Sequence, residues 1–155
     1  MRKLAVALLI LVALGSLPSA VRYLFATEFM PYHAVIVGKD WAQVEPNTQF
    51  MLLTLIRAMG AGMLAVSVAI LLFAYRASRG ERWAGWAALC VGASIWIPLL
   101  YLTIAARVYN AQAQTPSATT SGALLLLAAA AAMLWFAKDK PRREEDGTTL
   151  DAAAG

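Results

Sequence analysis

Residues 47–75 read NTQFMLLTLIRAMGAGMLAVSVAILLFAY. One charged residue, Arg57, interrupts an apolar run longer than the roughly 20 residues needed to cross a hydrocarbon core of about 30 Å. A spanning strand needs only about ten residues, and a lone strand in lipid leaves its backbone groups unpaired, so the run reads as a helix over about 48–75. Comparable blocks lie at about 4–25, 83–106 and 121–137. The chain of 155 residues is 61% hydrophobic and 14% charged, against about half and a quarter for a soluble domain. These features predict an all-α integral membrane four-helix bundle over residues 1–137, followed by a disordered cytoplasmic tail over 138–155. The tail, starting KDKPRREED, has too little apolar surface to fold alone.

The net charge of +4 does not form a face, which argues against nucleic acid as a partner. The basic residues sit at the ends of apolar blocks, as topology determinants do. Arg2, Lys3, Arg76, Arg79, Arg82, Lys138, Lys140, Arg142 and Arg143 fall on one side, and Arg22, Lys39 and Arg107 on the other. That bias places both termini in the cytoplasm and turns the linkers 26–47 and 107–120 outwards, for a multi-pass protein of a bacterial inner (plasma) membrane. The first block, with its basic start and Pro18-Ser19-Ala20, also has signal-peptide features. Apolar character resumes at Val21, Tyr23, Leu24 and Phe25, so it reads as a retained helix.

Hydrophobicity does not drive one helix onto another in lipid, whereas small residues four apart permit close approach. On that ground Ala58 and Gly62, with Ala61, Ala65 and Ala69, are expected to face inward on the second span. Ala84, Ala88 and Gly92 are expected to do so on the third, and Ala128–Ala132 on the fourth. Such rows serve folding and homo-oligomer or partner contacts equally well. Trp83, Trp86 and Trp135 suit an interfacial belt. Trp96, Pro98 and Tyr101 lie deeper, where a helix-interior proline can help shape a cavity.

Counting excludes some chemistry. One cysteine, Cys90, forms no internal disulfide, and one histidine, His33, supplies no axial pair for a haem. No metal site, cofactor or catalytic residue is assigned, since His33 has only carboxylates as co-ligands and no nucleophile motif accompanies it.

The most specific candidate site is outward. Arg57 lies roughly 10 Å past Phe50 along the helix. It either snorkels to the interface or faces inward, paired with a carboxylate or an anionic ligand. Glu28, Asp40 and Glu45 are the candidate partners, and Gln49 and Thr54 lie on nearby faces. The preceding linker, EFMPYHAVIVGKDW over 28–41, is too apolar for a plain loop. It reads as a structured lid in which Phe29, Met30, Tyr32, Val35, Ile36, Val37 and Trp41 seek burial. Asp40 and Gln43 fit a capping box for a short helix at 41–44. Gly38 fits a turn, and Asn47 or Thr48 fits the cap of the second span. Tyr32, His33, Trp41, Glu28, Glu45, Gln49 and Arg57 together make up the candidate pocket and lid.

The run MPYH (Met30 to His33), followed by Trp41, Pro46, Gln49, Arg57 and the GAG of 60–62, resembles a family of small uncharacterised bacterial inner-membrane proteins with a similar histidine loop before the second span. The resemblance covers roughly residues 25 to 66. It implies a multi-span bundle and no assigned activity. In size and helix count the chain is also similar to DoxX-like four-helix membrane proteins.

The expected function is non-enzymatic: binding of a membrane lipid, a small amphipathic ligand or a partner membrane protein at the outward face. The alternative is a membrane enzyme or proton-coupled carrier using His33 and Glu28. The carrier is weakened because none of the four spans contains a carboxylate.

Overall fold

The computed structural model describes residues 1–137; the expected tail over 138–155 lies outside them. Five α-helices follow in order: α1 (Arg2–Leu24), α2 (Pro31–Val37), α3 (Pro46–Ser78), α4 (Arg82–Tyr109) and α5 (Ser117–Trp135). A single 3-10 turn occupies Trp41–Gln43, and no strand occurs among the described residues. Four of the helices, α1, α3, α4 and α5, are long and apolar enough to cross a membrane. Their ends lie slightly beyond the apolar blocks wherever polar residues continue a turn. Pro46 opens α3 ahead of the apolar run, because proline suits a first helical position whose N–H has no intrahelical partner.

The long helices form a ring. α1 packs along α3 and α5, α4 packs along the same two, and the α1–α4 diagonal is thin. α1 and α3 run antiparallel, because Arg2 donates from Nε and Nη2 to the Ala77 carbonyl at 3.1 and 2.7 Å. The core between them includes Leu9 and Ile70, both fully buried. The Ser16 and Ser67 hydroxyls meet there at 2.7 Å. Outside the ring, Leu11, Leu55, Leu72 and Leu125 stand 54–70% exposed. An all-round apolar coat of this kind suits lipid rather than water.

Small residues carry the close approaches, though on α3 they differ from the expected row. Ala58, Ala61, Gly62 and Ala65 face outward, and a side chain at Gly62 would meet nothing within 4 Å. The inward row is Gly60, Met63, Ser67, Ile70, Ala74 and Ala77. A Cβ on Gly60 would stand 2.4 Å from the Leu24 nitrogen and 2.8 Å from the Leu24 Cα and the Tyr23 carbonyl carbon, so only glycine lets the end of α1 rest on α3. A count of small residues does not distinguish neighbouring rows on a helix where nearly every position is apolar. On α4 the expected row is buried: Ala84, Ala88 and Gly92 all face inward. Gly92 receives Leu127 of α5, and Gly85 receives Leu134.

The aromatic residues near the end that carries Met1 also pair. Trp86 and Trp135 are edge-on at 6.4 Å, and Phe73 and Trp83 at 5.9 Å. Arg76 Nε bonds Glu81 Oε1 at 2.9 Å across the α3–α4 turn.

Candidate functional site

α3 is about 50 Å long at 1.5 Å per residue, whereas α1 is about 34 Å. Because Leu24 rests on Gly60, the first turns of α3 run about 20 Å beyond the end of α1. The linker between them folds back over this projection and caps one end of the bundle. Arg57 therefore lies close to the level where α1 ends. It is exposed, and its Nε and Nη2 both donate to the Ala26 carbonyl, at 3.1 and 3.0 Å. A cation suits the negative end of a helix dipole, and Ala26 lies just past the C-cap of α1. The partner found for Arg57 is thus this backbone carbonyl rather than Glu28 or Glu45.

Local rules build the cap. Met30 is extended and Pro31 opens α2; His33, at the third helical position, accepts the Met30 N–H on Nδ1 at 3.2 Å. Gly38 ends α2 with φ +70, a conformation glycine adopts without steric cost. α2 was not expected as a helix, although Pro31 and Gly38 frame it as proline and glycine commonly frame helices. At the next turn Gln43 Oε1 accepts the Asp40 N–H at 3.1 Å, as the box pattern predicted. α3 is capped by Glu45 rather than by Asn47 or Thr48. Its carboxylate accepts the Asn47 N–H at 3.1 Å and the Thr48 N–H at 3.0 Å. Pro46 shifts the helix start two residues earlier than the apolar pattern implied.

A small second core seats the cap. Ala26, Phe29, Met30 and Val44 bury against Ile56. Phe29 meets Trp41 edge-on at 4.9 Å, and Gln49 Nε2 donates to the Trp41 carbonyl at 2.7 Å. The far side of α2 is held by the α4–α5 loop, where Asn110 Nδ2 donates to the Val35 carbonyl at 3.0 Å. Val35 and Val37, expected to be buried, are 37% and 43% exposed. A seven-residue helix lying on a surface has only one inward stripe, and here Tyr32, His33 and Ile36 are half-buried while Val35 and Val37 reach only the cavity edges.

Two cavities lie beneath the cap. The larger, about 570 Å³, is lined by Ser19, Arg22, Gln112, Gln114, Thr119 and Thr120, with Trp96 and Met63 among its apolar walls. The smaller, about 360 Å³, lies between α3 and α4 under α2. Its walls include Leu52, Leu55, Met59, Leu102 and Ala106. Tyr23, Tyr32, Leu99 and Thr103 line both. The Tyr23 and Tyr32 hydroxyls are hydrogen-bonded to each other in this shared wall. Burial, reinforced by that bond, raises the Tyr32 pKa well above its ordinary value, so the phenol stays protonated.

Of the residues singled out from sequence, Tyr32 lines both cavities and His33 the smaller one. Trp41 and Gln49 belong to the packing of the cap, Glu45 caps α3, Glu28 is exposed, and Arg57 ties the linker; none of these five lines either cavity. Sequence reasoning missed Arg22, Tyr23, Gln112 and Gln114. A cation and a phenol at the end of the first apolar block, with a glutamine pair in the third linker, were the available signals, but they were read as topology and loop. Pro98, expected to help shape a cavity, and Tyr101 are both exposed and line neither one, whereas the neighbouring Trp96 is buried and lines the larger. No group of three or more potential metal ligands occurs among the described residues.

The cap should loosen in two steps on acidification. Burial lowers the His33 pKa below its ordinary 6.5. The His33 contribution to α2 is then complete above pH 6.5 and is lost as the pH falls through the folded-state value. The backbone bonds from Asn47 and Thr48 lower the Glu45 pKa below 4.5, so the loss of its cap begins only below that value, whereas the loss at His33 begins below 6.5. Amide protection of Ala34 and Gly38, corrected for intrinsic exchange, should fall in the first window, and that of Asn47 and Thr48 only in the second. His33→Gln should abolish the first step alone.

No family profile matches the chain, and neither does any curated protein or solved structure.

Proposed function

We propose that the chain is a non-enzymatic multi-pass protein of a bacterial inner membrane that holds a membrane lipid or small amphipathic molecule under the α2 cap. The observation that carries this reading is the pair of cavities with a shared wall and unequal linings. The larger gathers a cation, two glutamines and several hydroxyls on otherwise apolar walls, and the smaller is almost wholly apolar between two membrane-length helices. That division matches a molecule with a head and a tail. Volumes of about 360 and 570 Å³ fall within the roughly 300–1,000 Å³ of ordinary ligand pockets. The cap faces outward and both termini are cytoplasmic, a reading supported by the excess of arginine and lysine at the opposite end of the bundle. α1 is part of the mature bundle in this account, and its seven buried residues support that.

The enzyme or carrier reading draws less support. His33 spends Nδ1 on the Met30 N–H, and Glu28 is exposed and lines neither cavity.

The test is native mass spectrometry of the purified protein in mild detergent, wild type beside Ala106→Phe. The phenyl ring would fill the apolar chamber. A discrete adduct on the wild type that is lost from a folded Ala106→Phe variant is the expected result. A wild type with no adduct, or an adduct retained equally by both, would contradict the proposal.

A further inference from the structure

We infer that the polar chamber takes the head group of an anionic phospholipid, with Arg22 as its charge partner, and that one acyl chain leaves through the apolar chamber between α3 and α4. The inference rests on the lipid-binding reading above and names its ligand class.

Arg22 is the first reason. Other arginines in the structure meet protein partners. Arg2 and Arg57 each bond a carbonyl, Arg76 pairs with Glu81, Arg79 lies over the Tyr75 ring and Arg107 bonds Ser117 Oγ. Arg22 makes no hydrogen bond or ion pair among the described residues, and it lines the larger chamber. A guanidinium offers a planar fork of donors that fits phosphate oxygens. The second reason is the lack of any counter-charge, since no carboxylate lines either chamber. One unopposed positive charge matches the single negative charge of a phosphodiester. A zwitterionic head would bring an ammonium group with no anion to meet it. Third, Gln112 and Gln114 also line this chamber, and neither side-chain amide has a protein partner among the described residues. Each can donate and accept, as the hydroxyls of a glycerol or sugar head require.

The route for the chain is the fourth reason. The apolar chamber meets the polar one at Tyr23, Tyr32, Leu99 and Thr103. Its far wall includes Leu55 and Leu102, which are 60% and 57% exposed on the outer face of the bundle. A tail threaded there passes the Tyr23–Tyr32 hydroxyl pair and Thr103 at the junction and then runs along largely apolar walls to the surrounding hydrocarbon. A free phosphate would satisfy Arg22 equally well but would leave this chamber unused.

The test uses the full chain in phosphatidylcholine nanodiscs doped with equal amounts of phosphatidylglycerol and phosphatidylethanolamine. Lipids retained after gentle release are read by native mass spectrometry. All three lipids offer Arg22 a phosphodiester, but only phosphatidylglycerol brings no ammonium into a chamber without a carboxylate, so it should be enriched roughly two- to five-fold over the zwitterionic lipids. Arg22→Gln should remove the preference, Arg22→Lys should keep part of it, and Arg107→Gln, at the same end but outside both chambers, should keep all of it. Should Arg22→Gln fail to fold, Gln112→Leu with Gln114→Leu provides the second variant, and a reduced preference is expected. Retained lipid with no head-group preference, or a preference that survives Arg22→Gln, would overturn this inference while leaving the broader lipid-binding proposal standing. Displacement of the lipid by millimolar inorganic phosphate would assign the site to a free oxyanion and overturn it as well. No retained lipid of any kind would overturn both.

Discussion

Gly60→Ala should be the most damaging single-methyl change in the protein. The added carbon would lie 2.4–2.8 Å from three backbone atoms of Tyr23 and Leu24, and backbone does not swing aside as the tip of a leucine can. Overpacking costs about 1–3 kcal/mol and occasionally more, and this contact belongs at the upper end of that range. α1 would have to lift from α3, carrying Tyr23 away from Tyr32, so the lining shared by the two cavities would be disrupted and ligand retention should fall together with thermal stability. Gly62→Ala is the matched control. It adds the same methyl where nothing lies within 4 Å, and alanine is the better helix former by up to about 1 kcal/mol. Melting curves in detergent should show a clear drop for Gly60→Ala, and no change or a small rise for Gly62→Ala. Equal effects would mean that the α1–α3 approach is looser than described.

Arg57→Ala should act locally. It removes both donors to the Ala26 carbonyl. The guanidinium is exposed, so the usual 1.5–3 kcal/mol for a charged hydrogen bond is discounted to about 1–2 kcal/mol. The expected result is a roughly five- to thirty-fold fall in amide protection over the 26–45 linker, with the melting of the four long helices little changed. Arg57→Lys keeps the charge but not the fork, and should lie between the two. If Arg57→Ala instead releases a bound species while leaving linker protection intact, Arg57 is a ligand anchor and the polar chamber is not the head-group site.

The spans were legible because lipid imposes a single simple requirement, a long apolar helix, and four blocks meet it. The Asp40–Gln43 turn was legible because a capping box is a local pattern. The identity of the inward face on α3 was not. When both the core and the surroundings are apolar, no polar face marks the outside, and the choice between the Gly60 row and the Gly62 row is made by contact with α1. The partner of Arg57, the Ala26 carbonyl, was not legible for a related reason. Counting from Phe50 takes the start of the apolar run as the membrane edge, whereas α3 projects beyond the end of α1. The site shares this limit. Arg22, Tyr23 and the Gln112–Gln114 pair lie far apart in sequence and converge only because the ring brings α1 next to α5. The MPYH run shows the converse. Met30, Pro31 and His33 stand out in the sequence, yet their visible work is to start a short helix.

A lipid head group held inside the capped end of the bundle would lie within reach of Arg22 and the α4–α5 loop. The most direct measurement is photolabelling by a lipid carrying a diazirine in its head group, with the labelled peptides mapped by mass spectrometry. The account predicts label on Arg22–Tyr32 and on Gln112–Thr120, suppressed by unlabelled lipid of the same head group. Label confined to rim positions such as Phe50 and Val108, or to the end carrying Met1 and Trp83, and not suppressed by competitor, would contradict it.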